Sequence, residues 1–128
     1  MIGRVRRLAY LLRRLDLPTL RAAWWAARAM RRLRRDLRSL GLRARVPVPP
    51  PLPADAVRGV RGIADLSHAT CLERSLLLQR WLVAHGQAHD VLVGVGPSAR
   101  DFEAHAWIEG YDPDEAGAGF EVLTRVPA

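Results

Sequence analysis

Residues 70–84, Thr-Cys-Leu-Glu-Arg-Ser-Leu-Leu-Leu-Gln-Arg-Trp-Leu-Val-Ala, constrain the fold more than any other stretch of the chain. Thr70 and Glu73 have the spacing of a capping box, in which the threonine hydroxyl accepts from the Glu73 amide and the glutamate reaches back to the amide of the cap. The box predicts a helix that starts with Cys71 at its first position. Unpaired N–H groups and the positive end of the helix dipole favour a thiolate there. Leu72, Leu76, Leu77, Leu78, Trp81, Leu82 and Val83 then cover most of the circumference, so the helix must be buried by the elements around it. Cys71 is the one cysteine of the chain. It excludes an internal disulfide and fits a reducing, cytoplasmic setting.

With 128 residues, 49% of them apolar, the chain has material for one core. No run approaches the roughly 20 apolar residues that a membrane span needs. Arg13 and Arg14 interrupt the apolar centre of the first segment too early for a secretory signal. Its Arg-rich, acid-poor character leaves an organellar transit peptide as the lesser alternative. The net charge of +7 is held unevenly. Residues 1–45 carry 14 arginines against Asp16 and Asp36, whereas residues 46–128 carry 6 arginines against 11 acidic residues. All 20 basic residues are arginine, which points to genomic composition bias rather than to guanidinium chemistry.

The basic region, residues 1–45, reads as a helical hairpin. Val5, Leu8, Ala9, Leu12 and Leu15 repeat at helical spacing, and Pro18 suits the first turn of a second helix over about 18 to 40, stopped by Gly41. Its apolar stripe is expected to be Leu20, Ala23, Trp24, Ala27, Met30, Leu33, Leu37 and Leu40. Clustered arginines raise nucleic acid and an anionic membrane surface as partners. No zinc-finger or RNA-binding signature accompanies them, and aromatics are not interleaved as a base-stacking platform requires. A solvated basic face, with the apolar side docked on the other half or on a partner protein, is the preferred reading, and no nucleic-acid partner is expected. Residues 46–53 belong to a stretch holding five of the nine prolines, a polyproline II spacer between the two halves.

Residues 54–128 form the acidic, chemistry-bearing half. Asp55 is expected to cap a short helix to about Asp65, in which Gly59 and Gly62 weaken the helix or permit close packing. The cysteine helix ends near His85, with Gly86 as its stop. His89 to Val95 reads as a buried strand, 96–102 as a loop, and Glu103 to Glu109 as an alternating strand. In that alternation His105, Trp107 and Glu109 face one way, and Ala104, Ala106 and Ile108 the other. A return strand spans Gly119 to Thr124. The fold class is α+β, with the cysteine helix packed on a small antiparallel sheet.

A lone cysteine is more often a small core hydrophobe than a nucleophile. Placed just after a cap and followed by a strand histidine, Cys71 acquires a partner: His105 takes the thiol proton and the thiolate attacks a carbonyl. A third group should orient the imidazole. Asp112, Asp114 and Glu115 fall in the expected turn, and a hairpin turning there returns Glu121 as the only carboxylate opposite His105. Glu121 is therefore preferred and Asp112 is the alternative. A metal site is the rival constellation, with His68 and Cys71 three apart and His85 and His89 four apart. Gly86 breaks the helix between the second pair, so metal is not expected.

Cys71-Leu72-Glu73-Arg74-Ser75-Leu76, a valine-rich strand ending in Val-Gly-Val, and Ala104-His105-Ala106-Trp107-Ile108-Glu109 together resemble the transglutaminase-like leader peptidases of lasso-peptide biosynthesis, the free-standing protease half of the B protein. The resemblance covers about residues 54–128. It implies a papain/transglutaminase-like core, Cys71 as nucleophile, His105 as general base, and neither a metal nor an organic cofactor. It further implies removal of a leader from a ribosomally made precursor, a small leader-binding recognition-element protein, and a macrolactam-forming cyclase acting afterwards. The family usually carries an Asp about a dozen residues after the histidine, and here that point is Gly117. The backbone N–H of Cys71 is one expected oxyanion donor. Acyl transfer to an amine, and a non-catalytic basic module with Cys71 as packing, are the alternative functions.

Overall fold

The computed structural model describes Gly3, Arg6 and residues 16–96 and 104–128. The first arm of the expected hairpin, most of the 96–102 loop and Glu103 lie outside the described residues. Helix α1, Leu17–Leu40, begins where Asp16 accepts from the Thr19 amide at 2.9 Å, with Pro18 in its first turn. It ends at Gly41, whose φ of +59° is the left-handed backbone that glycine permits.

The buried face of α1 is the expected stripe only in its second half, where Met30 and Leu33 are buried and Leu37 packs on the core. Ala22, Trp25, Ala26, Ala29, Met30 and Leu33 are buried, while Leu20 and Trp24 are 49% and 70% exposed. The alanine-rich face wins because small side chains let another helix come close. That helix is α2, Val57–Leu66. A Cβ on its Gly59 would collide with the Thr19 carbonyl and lie 2.8 Å from the Ala23 nitrogen, so glycine is what allows the approach. Gly62 has open space around its Cα and has no such role. Asp55 does not cap α2. It lies inside a short 3-10 turn, Ala54–Ala56, that runs into the helix, and no side chain caps the junction.

Helix α3, Cys71–Ala84, carries the complete capping box. Its C-terminus is closed by His85 and by Gly86 at φ +77°. Leu76, Leu77, Leu78, Trp81 and Leu82 are buried in one core with the buried face of α1, Val60 of α2, and Val91, Ala106 and Ile108 of the sheet. The indoles of Trp25 and Trp81 meet at 5.9 Å in its centre. Gln79 is buried too, and its Nε2 donates to the carbonyls of His89 and Val126 at 2.9 Å each, tying α3 to the strand ends. The 46–53 spacer lies on this core: Pro49 is buried, and Val46 and Leu52 pack against the cluster.

The sheet consists of β1 (Val91–Val95), β2 (Ala104–Ile108) and β3 (Glu121–Val126). All pairings are antiparallel, but the order is β2-β1-β3. Strands β2 and β3 therefore do not pair as the hairpin expected from the sequence. The segment between them contains a 3-10 turn, Asp114–Gly117, and β3 enters on the far side of β1. A register shift at Val93/Gly94 makes Leu123 the extra residue of a bulge.

Candidate functional site

The capping box places Cys71. Thr70 Oγ1 accepts from the Glu73 amide at 3.1 Å, and Glu73 Oε1 accepts from the Thr70 amide at 2.9 Å. The box thus uses the N–H groups of Thr70 and Glu73, and the first-turn amides of Cys71 and Leu72 have no intrahelical partner. The thiol, half-buried, lies against the strand carrying the candidate base: the Ala106 amide donates to Cys71 Sγ at 3.4 Å. Ala106 directly follows His105. The Ile108 amide, two residues along β2, donates to Asp112 Oδ2 at 2.7 Å. Amides at alternate positions of a strand point to the same side. Cys71 and Asp112 therefore cover neighbouring rungs along the edge of β2 that β1 does not occupy.

The alternation of β2 is as the sequence predicts. Ala106 and Ile108 enter the core, whereas His105 stacks on Trp107 at 5.7 Å with an interplanar angle of 21°. Phe120, just ahead of β3, completes the group at 4.8 Å from the His105 ring. His105 is half-buried among these aromatics. Its strand partner across β1 is Gly94, where a Cβ would stand 2.7 Å from the Glu121 carbonyl oxygen and 3.1 Å from the Trp107 ring. A larger residue at 94 would push apart the surface on which His105 and Trp107 lie. Gly117 is equally constrained, since a Cβ there would fall 2.7–2.9 Å from the Trp107 indole. The position where the resembled family carries an Asp is thus occupied by chain packed flat against Trp107.

Glu121 is paired with Val95 on β1, not with His105 on β2, and is exposed. The β2-β1-β3 order leaves no β2–β3 hairpin to return Glu121 opposite His105. What brings this part of the chain towards His105 is Phe120. Among the described residues, neither Glu121 nor Asp112 makes a hydrogen bond to His105.

Arg34, from the middle of the basic helix, is the residue that sequence reasoning missed. Its Nε donates to Glu73 Oε2 at 3.0 Å, and its Nη2 donates to Glu73 Oε1 at 3.2 Å and to the Ser67 carbonyl at 2.7 Å. It therefore holds both the capping glutamate of α3 and the turn leading into it. Burial pushes the Glu73 carboxyl upward, but hydrogen bonds from Arg34 and the Thr70 amide outweigh it and hold the group below the usual glutamate range. Nothing in the sequence separates Arg34 from the other arginines around it. Glu73 was legible as a cap, and its second bond was not.

The remaining histidines lie elsewhere. His85 places Nδ1 2.8 Å from the Trp81 carbonyl and Nε2 2.8 Å from the Leu52 carbonyl. His89 Nδ1 contacts the Glu109 carbonyl at 3.0 Å, and His68 is exposed at φ +51°. Among the described residues, no three His, Cys, Asp or Glu side chains converge as a metal-ligand set. No described helix is long and apolar enough to cross a membrane.

No curated protein and no solved structure gave a match. The sequence does match the transglutaminase-like superfamily over residues 4–124, a span that takes in the basic helix as well as Cys71 and His105. A mixed fold of helices and a small antiparallel three-stranded sheet agrees with that match. The chain belongs to the transglutaminase-like superfamily.

Proposed function

We propose that the protein is a cysteine peptidase that removes the leader from a ribosomally synthesised lasso-peptide precursor. The observation that carries the reading is the contact of Cys71 Sγ, at the first position of a capped helix, with the amide next to His105. In the proposed reaction the Cys71 S–H proton passes to the His105 imidazole, and the sulfur attacks the scissile carbonyl carbon. The tetrahedral oxyanion faces the Cys71 backbone N–H, one of the donors the helix start leaves unpaired. Collapse breaks the C–N bond as His105 returns the proton to the departing amine. Water, deprotonated by His105, then cleaves the thioester and frees the thiol.

Glu121 is the proposed third group on the sequence reading alone, since β1 lies between its strand and that of His105. Glu121→Gln is expected to lower kcat with KM unchanged. Asp112→Asn is expected to act through the fold, by weakening the bond to the Ile108 amide. A small leader-binding protein is the proposed deliverer of substrate, and a macrolactam-forming cyclase the consumer of the product. The site needs no cofactor for this chemistry.

The test uses a lasso-peptide precursor together with a leader-binding protein. Cys71→Ala and His105→Ala are each expected to abolish cleavage while keeping the thermal transition. Full cleavage by purified Cys71→Ala would refute the proposal. The superfamily match also favours acyl transfer, and mass spectrometry separates the two reactions. Hydrolysis leaves a free acid, and transfer leaves a product joined to the amine.

A further inference from the structure

A groove of about 800 Å³ runs between α1 and the proline-rich segment, remote in sequence from Cys71 and His105. Arg21, Arg28, Arg31, Arg32 and Arg35 line it, a single stripe at helical spacing. Between the arginines lie Leu20 and Trp24, 49% and 70% exposed. Pro47 and Pro50 form the opposite wall. Stiff proline-rich chain resting on the core makes that wall a fixed feature.

Among the described residues, the acidic half does not pair with the arginines that line this groove. Glu73 takes Arg34, Asp65 takes Arg74, and Asp90 and Glu109 share Arg125. Within the groove, Arg32 and Arg35 share Asp36. Among the described residues, no carboxylate pairs with Arg21, Arg28 or Arg31. Residues 1–15 offer no complement either, since they hold five arginines and no acidic residue. Three guanidinium groups of the groove are thus open to carboxylates of another molecule. Apolar walls beside the guanidinium groups, with a single exposed tryptophan, suit a chain carrying both carboxylates and apolar side chains. They suit a nucleic acid less, because successive bases need successive stacking rings. They also suit a bilayer less, since the apolar residues line a concavity.

We propose that this groove docks an acidic polypeptide segment of a protein partner, with its carboxylates on Arg28 and Arg31 and an apolar side chain against Trp24. Because α1 also holds the cysteine helix through Arg34, a docked partner is fixed to the helix that anchors α3.

Fluorescence anisotropy on the full-length protein tests this with a labelled peptide alternating Glu with Leu and Phe. Its analogue with Gln for Glu, a labelled oligo-dT and phosphatidylserine-containing vesicles serve as competitors for the assignment. The acidic peptide is expected to bind best, and more weakly as salt rises. Arg28→Glu combined with Arg31→Glu is expected to weaken it about tenfold. The same charge change outside the groove, Arg38→Glu with Arg43→Glu, is expected to have much less effect. Trp24→Ala, at an exposed position, gives a second reading and is expected to weaken binding as well. Equal binding of the Gln analogue, indifference to both groove variants, an equal loss in the off-groove variant, or tighter binding of oligo-dT or vesicles would each overturn the proposal.

Discussion

Glu73 does two jobs with one carboxylate: it closes the cap of α3, and it accepts two hydrogen bonds from Arg34. Its carboxyl is held below the usual glutamate value in the folded protein. The stabilisation that follows is fully present above that usual value and is lost as pH falls through the lowered folded value. Glu73→Gln keeps the capping geometry, because glutamine can also serve at this position. It removes the charge, and should cost about 1–3 kcal/mol at neutral pH. Urea unfolding across the acidic range should show a smaller decline for Glu73→Gln than for the parent. Arg34→Met should cost a similar amount, and identical pH profiles for the parent and both variants would contradict the role given to this pair. Gly117→Ala belongs to the same scale. A methyl placed against the Trp107 indole should destabilise by about 1–3 kcal/mol and disturb the stack on which His105 rests. Thermal melting, with tryptophan fluorescence, reads both effects.

Among the elements, the α1–α2 contact turns on Gly59. Gly59→Ala should separate the helices and lower stability by about 2 kcal/mol or more, because the obstacle is backbone at Thr19 and Ala23 rather than a side chain that can swing away. Gly62→Ala should be neutral or slightly stabilising, and chemical denaturation of the two variants side by side checks the contrast. The elements also show where sequence is informative. The capping box, the stops at Gly41 and Gly86, and the two faces of β2 follow from local chemistry, and each could be read directly. The first half of the buried face of α1 could not, because hydropathy favours leucine and tryptophan while the packing partner selected alanines. Strand order escaped for a related reason: alternation places residues on faces but does not say which neighbour a strand will choose. Cys71 and His105 could be singled out as candidates because each carries its own local signal. Arg34, Phe120 and the Ala106 amide were not, since each matters only through a contact made far along the chain.

At the scale of the molecule, charge divides the chain in two, but packing does not. The core joins the alanine face of α1 to α3 and the sheet without a break at the proline segment. Residues 46–128 expressed alone should therefore lack a cooperative thermal transition, and the full chain should melt in one step by circular dichroism. The superfamily match across 4–124 has the same meaning: the basic helix is part of the fold that presents the cysteine. Cys71 and His105 are proposed to act as a chemical pair, and the rate of Cys71 alkylation by iodoacetamide at neutral pH, followed by intact mass, reads that pairing. The parent should react about tenfold or more faster than His105→Ala, because alkylation reads the thiolate that the imidazole helps to form. Equal rates in the two proteins would contradict the pairing and leave Cys71 as packing.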